Sequence, residues 1–289
     1  MAKPTRHENM ADNSVMRNLP AVSVNKIVNA RHNDKPFVEV MTDDIATEIP
    51  VALVYNCVSH AVMMASPSDL EDFAYGFSLS EEIVKNVDEI ESVHVLQNEQ
   101  GITLRVRIHE ERFAELKQRR NLVGRTGCGL CGTETLKQAI RPVPQVIAPD
   151  LSAEVIEHAL SALRSQQPIN ALTGATHAAA WCDLSGQILV CREDVGRHNA
   201  LDKLIGHLQR QQVDVSQGFV LVSSRASYEM VQKTCQAGIG ALVAISAPTS
   251  LAIDMAQQAD LLLVGFARNQ RHIIYHQPLT AAERLQQAI

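Results

Sequence analysis

From residue 177 to residue 264 the chain alternates short continuous apolar runs with stretches of helical period. That rhythm limits the possible folds more than any other feature. Phe219-Val-Leu-Val222, Ala241–Ser246 and Leu261–Val264 are too short for buried helices and show no polar alternation. They read as strands covered on both faces. Tyr228–Ala237 and Leu251–Gln258 lie between them with helical spacing. Strand–helix–strand order implies right-handed crossovers and a mostly parallel central sheet. Upstream, Ala178–Cys182 and Gln187–Arg192 form a hairpin around Leu184-Ser-Gly186, and His198–Gln211 is helical. His272–Tyr275 adds a last edge strand.

The first half reads differently. Ile49–Asn56 and Val58–Ala65 make a buried hairpin, and Asp69–Glu82 a helix opened by Pro67 and acidic residues. Val93–Leu96 and Ile102–Ile108 pair around residues 98–101, and Glu111–Arg120 is a short helix. The expected division is an N-terminal extension at 1–42, partly mobile, with edge strands at Val22–Val28 and Pro36–Val40. An α+β domain follows at 43–120, then a loop and linker at 121–150 and an α/β domain at 151–289.

The linker region carries Gly124-Arg-Thr-Gly-Cys-Gly-Leu-Cys-Gly132, which sets Cys128 and Cys131 in C-x-x-C spacing. Glycine permits close backbone approach and left-handed conformations, so this stretch presents sulfur from a loop. Four readings stay open: half of a zinc site, a thioredoxin-type dithiol, a sulfur carrier working through a persulfide, and a loop with incidental cysteines. The other cysteines, Cys57, Cys182, Cys191 and Cys235, sit among apolar residues and read as small buried hydrophobes.

Three segments at strand ends carry groups that hold anions. Ser223-Ser-Arg-Ala-Ser227 opens a helix with hydroxyls and Arg225, Ser246–Ser250 repeats the arrangement, and Gly265–Arg271 adds Arg268, Arg271 and Phe266. Ligands of open α/β sheets gather beyond the carboxyl ends of strands. Glu193, Asp194, Arg197 and His198 form a further polar cluster, readable as acid–base, ligand-binding or structural.

Composition narrows the class. Of 289 residues, 46% are hydrophobic and 20% charged, and the net charge of −6 excludes a mainly nucleic-acid-binding surface. No apolar run reaches membrane-spanning length, so no membrane association is expected. The polar first twenty residues lack a leader's apolar stretch, which predicts a cytoplasmic protein.

At Gly124–Gly132, Thr173–Trp181, Glu193–Lys203 and Ser223–Lys233 the chain resembles the FdhD family of sulfurtransferases that serve formate dehydrogenase. The resemblance runs from about residue 45 to the end. It implies that a cysteine desulfurase of the IscS type donates sulfur, which Cys128 carries as a persulfide with Cys131 as its partner. The implied acceptor is the molybdenum cofactor with two pterin guanine dinucleotides, which GDP mimics, and the implied assembly is a homodimer. The family's cofactor segment matches Phe266, Ala267, Arg268, Asn269, Gln270 and Arg271, with interior positions that differ between members. Ser223 and Arg225 join them as anion-binding candidates. The implied fold class is α/β, with a cytidine-deaminase-like three-layer C-terminal domain, a smaller α+β N-terminal domain and the Gly-rich loop between them. A zinc deaminase needs H-x-E and P-C-x-x-C at successive helix starts. This chain has His198-Asn-Ala and Ser224-Arg-Ala-Ser-Tyr there, so neither zinc nor deamination is expected.

Overall fold

Each apolar run between residues 177 and 264 becomes a strand of one six-stranded sheet. The structure, a computed structural model, describes residues 21–32, 35–122, 142–268 and 271–278. Cys128, Cys131, Asn269 and Gln270 lie outside the described residues.

In chain order the second half contains α3 (Ala153–Leu163), α4 (Pro168–Thr173), β7 (His177–Asp183), β8 (Ile188–Asp194), α5 (Arg197–Arg210), β9 (Gly218–Val222), α6 (Tyr228–Gln236), β10 (Ala241–Ala244), α7 (Ser250–Ala259), β11 (Leu262–Arg268) and β12 (Arg271–His276). The strand order is β12-β11-β10-β9-β7-β8. Only β9, β10 and β11 are mutually parallel; β7 is antiparallel to β8 and β9, and β12 to β11. The expected mostly parallel sheet is therefore mixed. A short turn after Asp183 returns β8 beside β7, and only two residues separate β11 from β12, connections too short for anything but antiparallel pairing.

The side chains of β9 explain its unbroken apolar run. Val220 and Val222 pack with Leu201, Leu204, Met230 and Met255 of α5, α6 and α7. Phe219 and Leu221 face the other way, towards Ile156, Ala159 and Leu163 of α3. Helices cover both faces, in three layers.

The first half has β1 (Ala21–His32) and β2 (Lys35–Ala46), paired antiparallel in a sheet of their own. These strands extend past the expected boundary at residue 42. Strands β3 (Ile49–Tyr55), β4 (Val58–Ala65), β5 (Ile90–Asn98) and β6 (Gly101–Ile108) form a four-stranded sheet in the order β4-β3-β6-β5. Helices α1 (Leu70–Ser80) and α2 (Glu110–Leu122) accompany it. Alternate residues Val51, Leu53 and Tyr55 of β3 are fully buried and pack with Phe73 and Phe77 of α1. Cys57, expected to be buried, is exposed in the β3–β4 turn at φ 69°, because Asn56 and Cys57 must both turn left-handed to close a two-residue hairpin.

Helix α1 crosses α5 where Gly76 meets the Asp202 backbone and Gly206 meets the Asp72 backbone. A side chain at either position would overlap a main-chain oxygen of the other helix. Buried ions flank the crossing. Lys203 Nζ lies 2.6 Å from Asp194 Oδ2, both fully buried. Lys233 Nζ donates to Asp202, Glu81 and Ser80 at 2.9 to 3.1 Å. Burial works against the Lys233 ammonium, but Asp202 and Glu81 outweigh it and hold its pKa above the ordinary lysine value. The linker's last residues pack on the α/β unit, where Val146 N donates to Ala259 O at 2.9 Å.

Candidate functional site

The carboxyl ends of β9, β10 and β11 and the start of β7 meet at one end of the six-stranded sheet, since β7 runs opposite to β9. Backbone bonds lace the loops there. Ile245 N donates to Val222 O at 3.0 Å, Ser246 N to Ser224 O at 3.4 Å, Thr249 N to Ala226 O at 3.0 Å and Phe266 N to Ser246 O at 3.2 Å. The three expected anion-binding segments thus form one surface, with the Ser246 segment between the other two.

The predicted residues divide within it. Arg225, Arg268 and Arg271 are exposed. Arg268 lies opposite Arg271 across the β11–β12 pairing, and its guanidinium is 5.9 Å from the Phe266 ring centroid. Phe266 adopts φ 50°, a left-handed conformation that non-glycine residues avoid and that collects at functional positions. Phe266, Ala267 and Arg268 belong to strand β11 rather than to a loop beyond it, and the Ala267 side chain is fully buried. Ala267 can offer a ligand only its backbone. The Ser223 hydroxyl accepts from Ala178 N at 2.8 Å, so its first task is to tie β9 to β7. Gly265 admits the neighbouring segment: a Cβ there would stand 2.8 Å from Pro248 Cδ and 3.0 Å from the Tyr275 ring.

The second polar cluster also separates by role. Glu193 accepts from Ile169 N, Asn170 N and the Thr176 hydroxyl at 2.8 to 2.9 Å, capping the start of α4. Asp194 accepts from Ser66 N, Gly196 N and the Asn199 amide, besides pairing Lys203. Both carboxylates are structural. Arg197 and His198 open α5 at the site end instead. His198 Nε2 approaches Glu229 Oε2 to 2.7 Å, which joins the first turns of α5 and α6. His198 holds the Glu229 carboxyl below the usual range, against the effect of burial. Burial, then Arg197, holds the half-buried His177 below the ordinary histidine value. Sequence reasoning gave Glu229 no role. The available signal was topological: two helices starting from one sheet end place their first turns face to face.

Burial pushes the Cys191 and Cys235 thiols up to about 12 and Cys182 higher still, so these are inert. Among the described residues no three His, Cys, Asp or Glu side chains are grouped to hold a metal, and no helix is long and apolar enough to cross a membrane.

A family model described as FdhD/NarQ family matches residues 46–282. The "Sulfur carrier protein FdhD" of Xanthomonas oryzae pv. oryzae is 52% identical over 269 residues, spanning 92% of this chain and 95% of that one. The protein of the same name from Bordetella petrii is 52% identical over 239 residues, spanning 82% and 86%. A crystal structure from Desulfotalea psychrophila, described as that of a formate dehydrogenase accessory protein, superposes with a TM-score of 0.71. It covers 90% of this chain and 98% of its own at 22% identity, a likeness of fold alone.

Proposed function

The chain belongs to the FdhD/NarQ family, and from that premise we propose that it is a sulfur carrier in the maturation of formate dehydrogenase. The observation that carries the reading is the 52% identity, over nine-tenths of the chain, to a relative named a sulfur carrier protein. The Cys128 thiolate attacks the terminal sulfur of a persulfide on an IscS-type cysteine desulfurase. The donor leaves as a thiolate and Cys128 becomes the persulfide, with no net oxidation. Cys131 stands three residues on as the exchange partner, and the Gly-rich sequence between Gly124 and Gly132 suits a carrier that meets two partners. The acceptor substrate is the molybdenum cofactor with two guanine dinucleotides, in a homodimeric, cytoplasmic protein.

Support for the acceptor end comes from the laced loops. Phe266, Arg268 and Arg271, with Arg225 across the Ser246 segment, give an aromatic face and three exposed cations suited to a guanine nucleotide. The strand order, three parallel strands beside an antiparallel hairpin, supports a cytidine-deaminase-like reading of the larger unit. We take the α+β unit and the α/β unit as separate domains on their distinct cores, with residues 121–150 as the segment between them.

Calorimetry with GDP tests the acceptor end. Wild type should bind, and Arg271→Ala should bind at least about tenfold more weakly, as loss of one charged phosphate contact implies. Equal affinities remove Arg271 from the site. Cyanolysis tests the sulfur end. After incubation with desulfurase and cysteine, wild type should release cyanide-labile sulfur as thiocyanate. A protein that forms only an internal disulfide releases none and would be a dithiol redox module.

A further inference from the structure

Arg197 and Ser227 have polar atoms that the described fold leaves without a partner. Arg197 Nε and Ser227 Oγ are buried and have no hydrogen-bond partner among the described residues. Leaving a buried donor unpaired costs about 1–3 kcal/mol, so such atoms mark places where something else is meant to bind. Two of the three nearby carboxylates are committed elsewhere. Asp194 holds Lys203, Asn199 and two backbone N–H groups, Glu193 caps α4, and Glu229 lies against His198.

The backbone points the same way. The N-caps of α3 and α7, Ser152 and Thr249, each accept a hydrogen bond from their own first turn. Helix α5 starts at Gly196, which has no side chain to cap with, and α6 starts at Ser227, whose hydroxyl does not cap. These two helices pack together, and the His198–Glu229 contact joins their first turns. His177, at the start of β7, is close enough to Arg197 and His198 to feel both charges. Cationic and hydroxyl donors from three elements therefore meet two uncapped helix starts.

We propose that Arg197, His177, His198 and Ser227 form a binding site for a phosphate-type oxyanion, separate from the Phe266–Arg271 segment. A guanidinium fork, a hydroxyl and helix-start N–H groups match the oxygens of a tetrahedral anion. Glu229 lies 2.7 Å from His198 and feels the Arg197 charge as well, so an incoming anion shares these cations with one carboxylate. The ligand is free phosphate or the head of a phosphomonoester. This site stands or falls independently of the sulfur-carrier reading.

Titration calorimetry on the full chain, with inorganic phosphate and with glycerol phosphate, tests it, and tighter binding of one names the source. Saturable binding at one site is expected, at least about tenfold weaker in Arg197→Gln and unchanged in Arg271→Ala. Ser227→Ala should keep the wild-type melting temperature, because its hydroxyl holds nothing in the free protein, yet bind phosphate more weakly. The proposal is overturned if neither anion saturates, if Arg197→Gln binds as wild type does, or if Arg271→Ala loses phosphate equally. Should Arg197→Gln fail to fold, Ser227→Ala decides: a lower melting temperature with unchanged affinity makes Ser227 structural and ends the proposal.

Discussion

Gly76 sets how closely α1 approaches α5. A methyl group there would overlap the Asp202 carbonyl oxygen, and backbone inside a packed helix cannot move aside as a side chain can. Gly76→Ala should therefore cost about 3 kcal/mol or more, the upper end for forcing atoms into a packed core. The measurement is the urea midpoint beside that of Gly174→Ala. Gly174 has nothing within 4 Å of an added Cβ and only its φ of 66° to strain, so that change should cost about 1–2 kcal/mol. Equal midpoints would mean that the helices stand farther apart. The glycines around Cys128 announced themselves by density. Gly76 and Gly206 did not, because their use depends on a partner helix far away in sequence. Phe266 and Arg271 were read as an aromatic ring and a cation at a strand end, and nothing in the residues foretold the left-handed turn at Phe266.

At the scale of elements, the regular strands were legible and the exceptions have local causes. An apolar run such as Phe219–Val222 has one reading when both faces are covered. Helix α4 escaped notice because it spans six residues and depends on Glu193, from another element, for its cap. The β7–β8 hairpin was legible, and the parallel reading failed where β7 pairs antiparallel with β9 and β12 with β11. The polar seam between α1, β8 and α5 gives a pH prediction. Arg192 donates to Asp72 at 2.8 and 2.9 Å and its Nη2 lies 2.8 Å from His207 Nδ1, while Arg210 reaches Asp72 from the same side. A protonated His207 would face the Arg192 guanidinium, and burial first, then that charge, hold its pKa below the ordinary value. The unfolded chain therefore takes up the proton first as pH falls. Stability contributed by neutral His207 is present above the ordinary value of about 6.5 and is lost below it. His177 and His276 are depressed too and act with the same sign. Denaturation followed from about pH 7 to about pH 5 should show falling stability, with a shallower slope in His207→Gln. Identical slopes would exclude His207.

Among the described residues, two sheet-based units are fastened by a glycine crossing and buried ion pairs, with the β1–β2 pair beside them and a nineteen-residue segment, 123–141, joining the end of α2 to the linker that meets the end of α7. Cys128 and Cys131 fall in that segment, so the candidate sulfur carrier is tethered at both ends to folded units. The candidate ligand loops lie on the larger unit. This division was visible in the change of apolar period between the halves; the contact between them was not, since it rests on side chains such as Asp72, Arg192 and Lys233 that read singly as surface charge. The central claim is that Cys128 carries sulfane sulfur. Peptide mass spectrometry after incubation with a cysteine desulfurase and cysteine tests it most directly. The account predicts one or more added sulfur atoms on the Cys128 peptide of wild type and none in Cys128→Ala; equal sulfur uptake by the two proteins would contradict it.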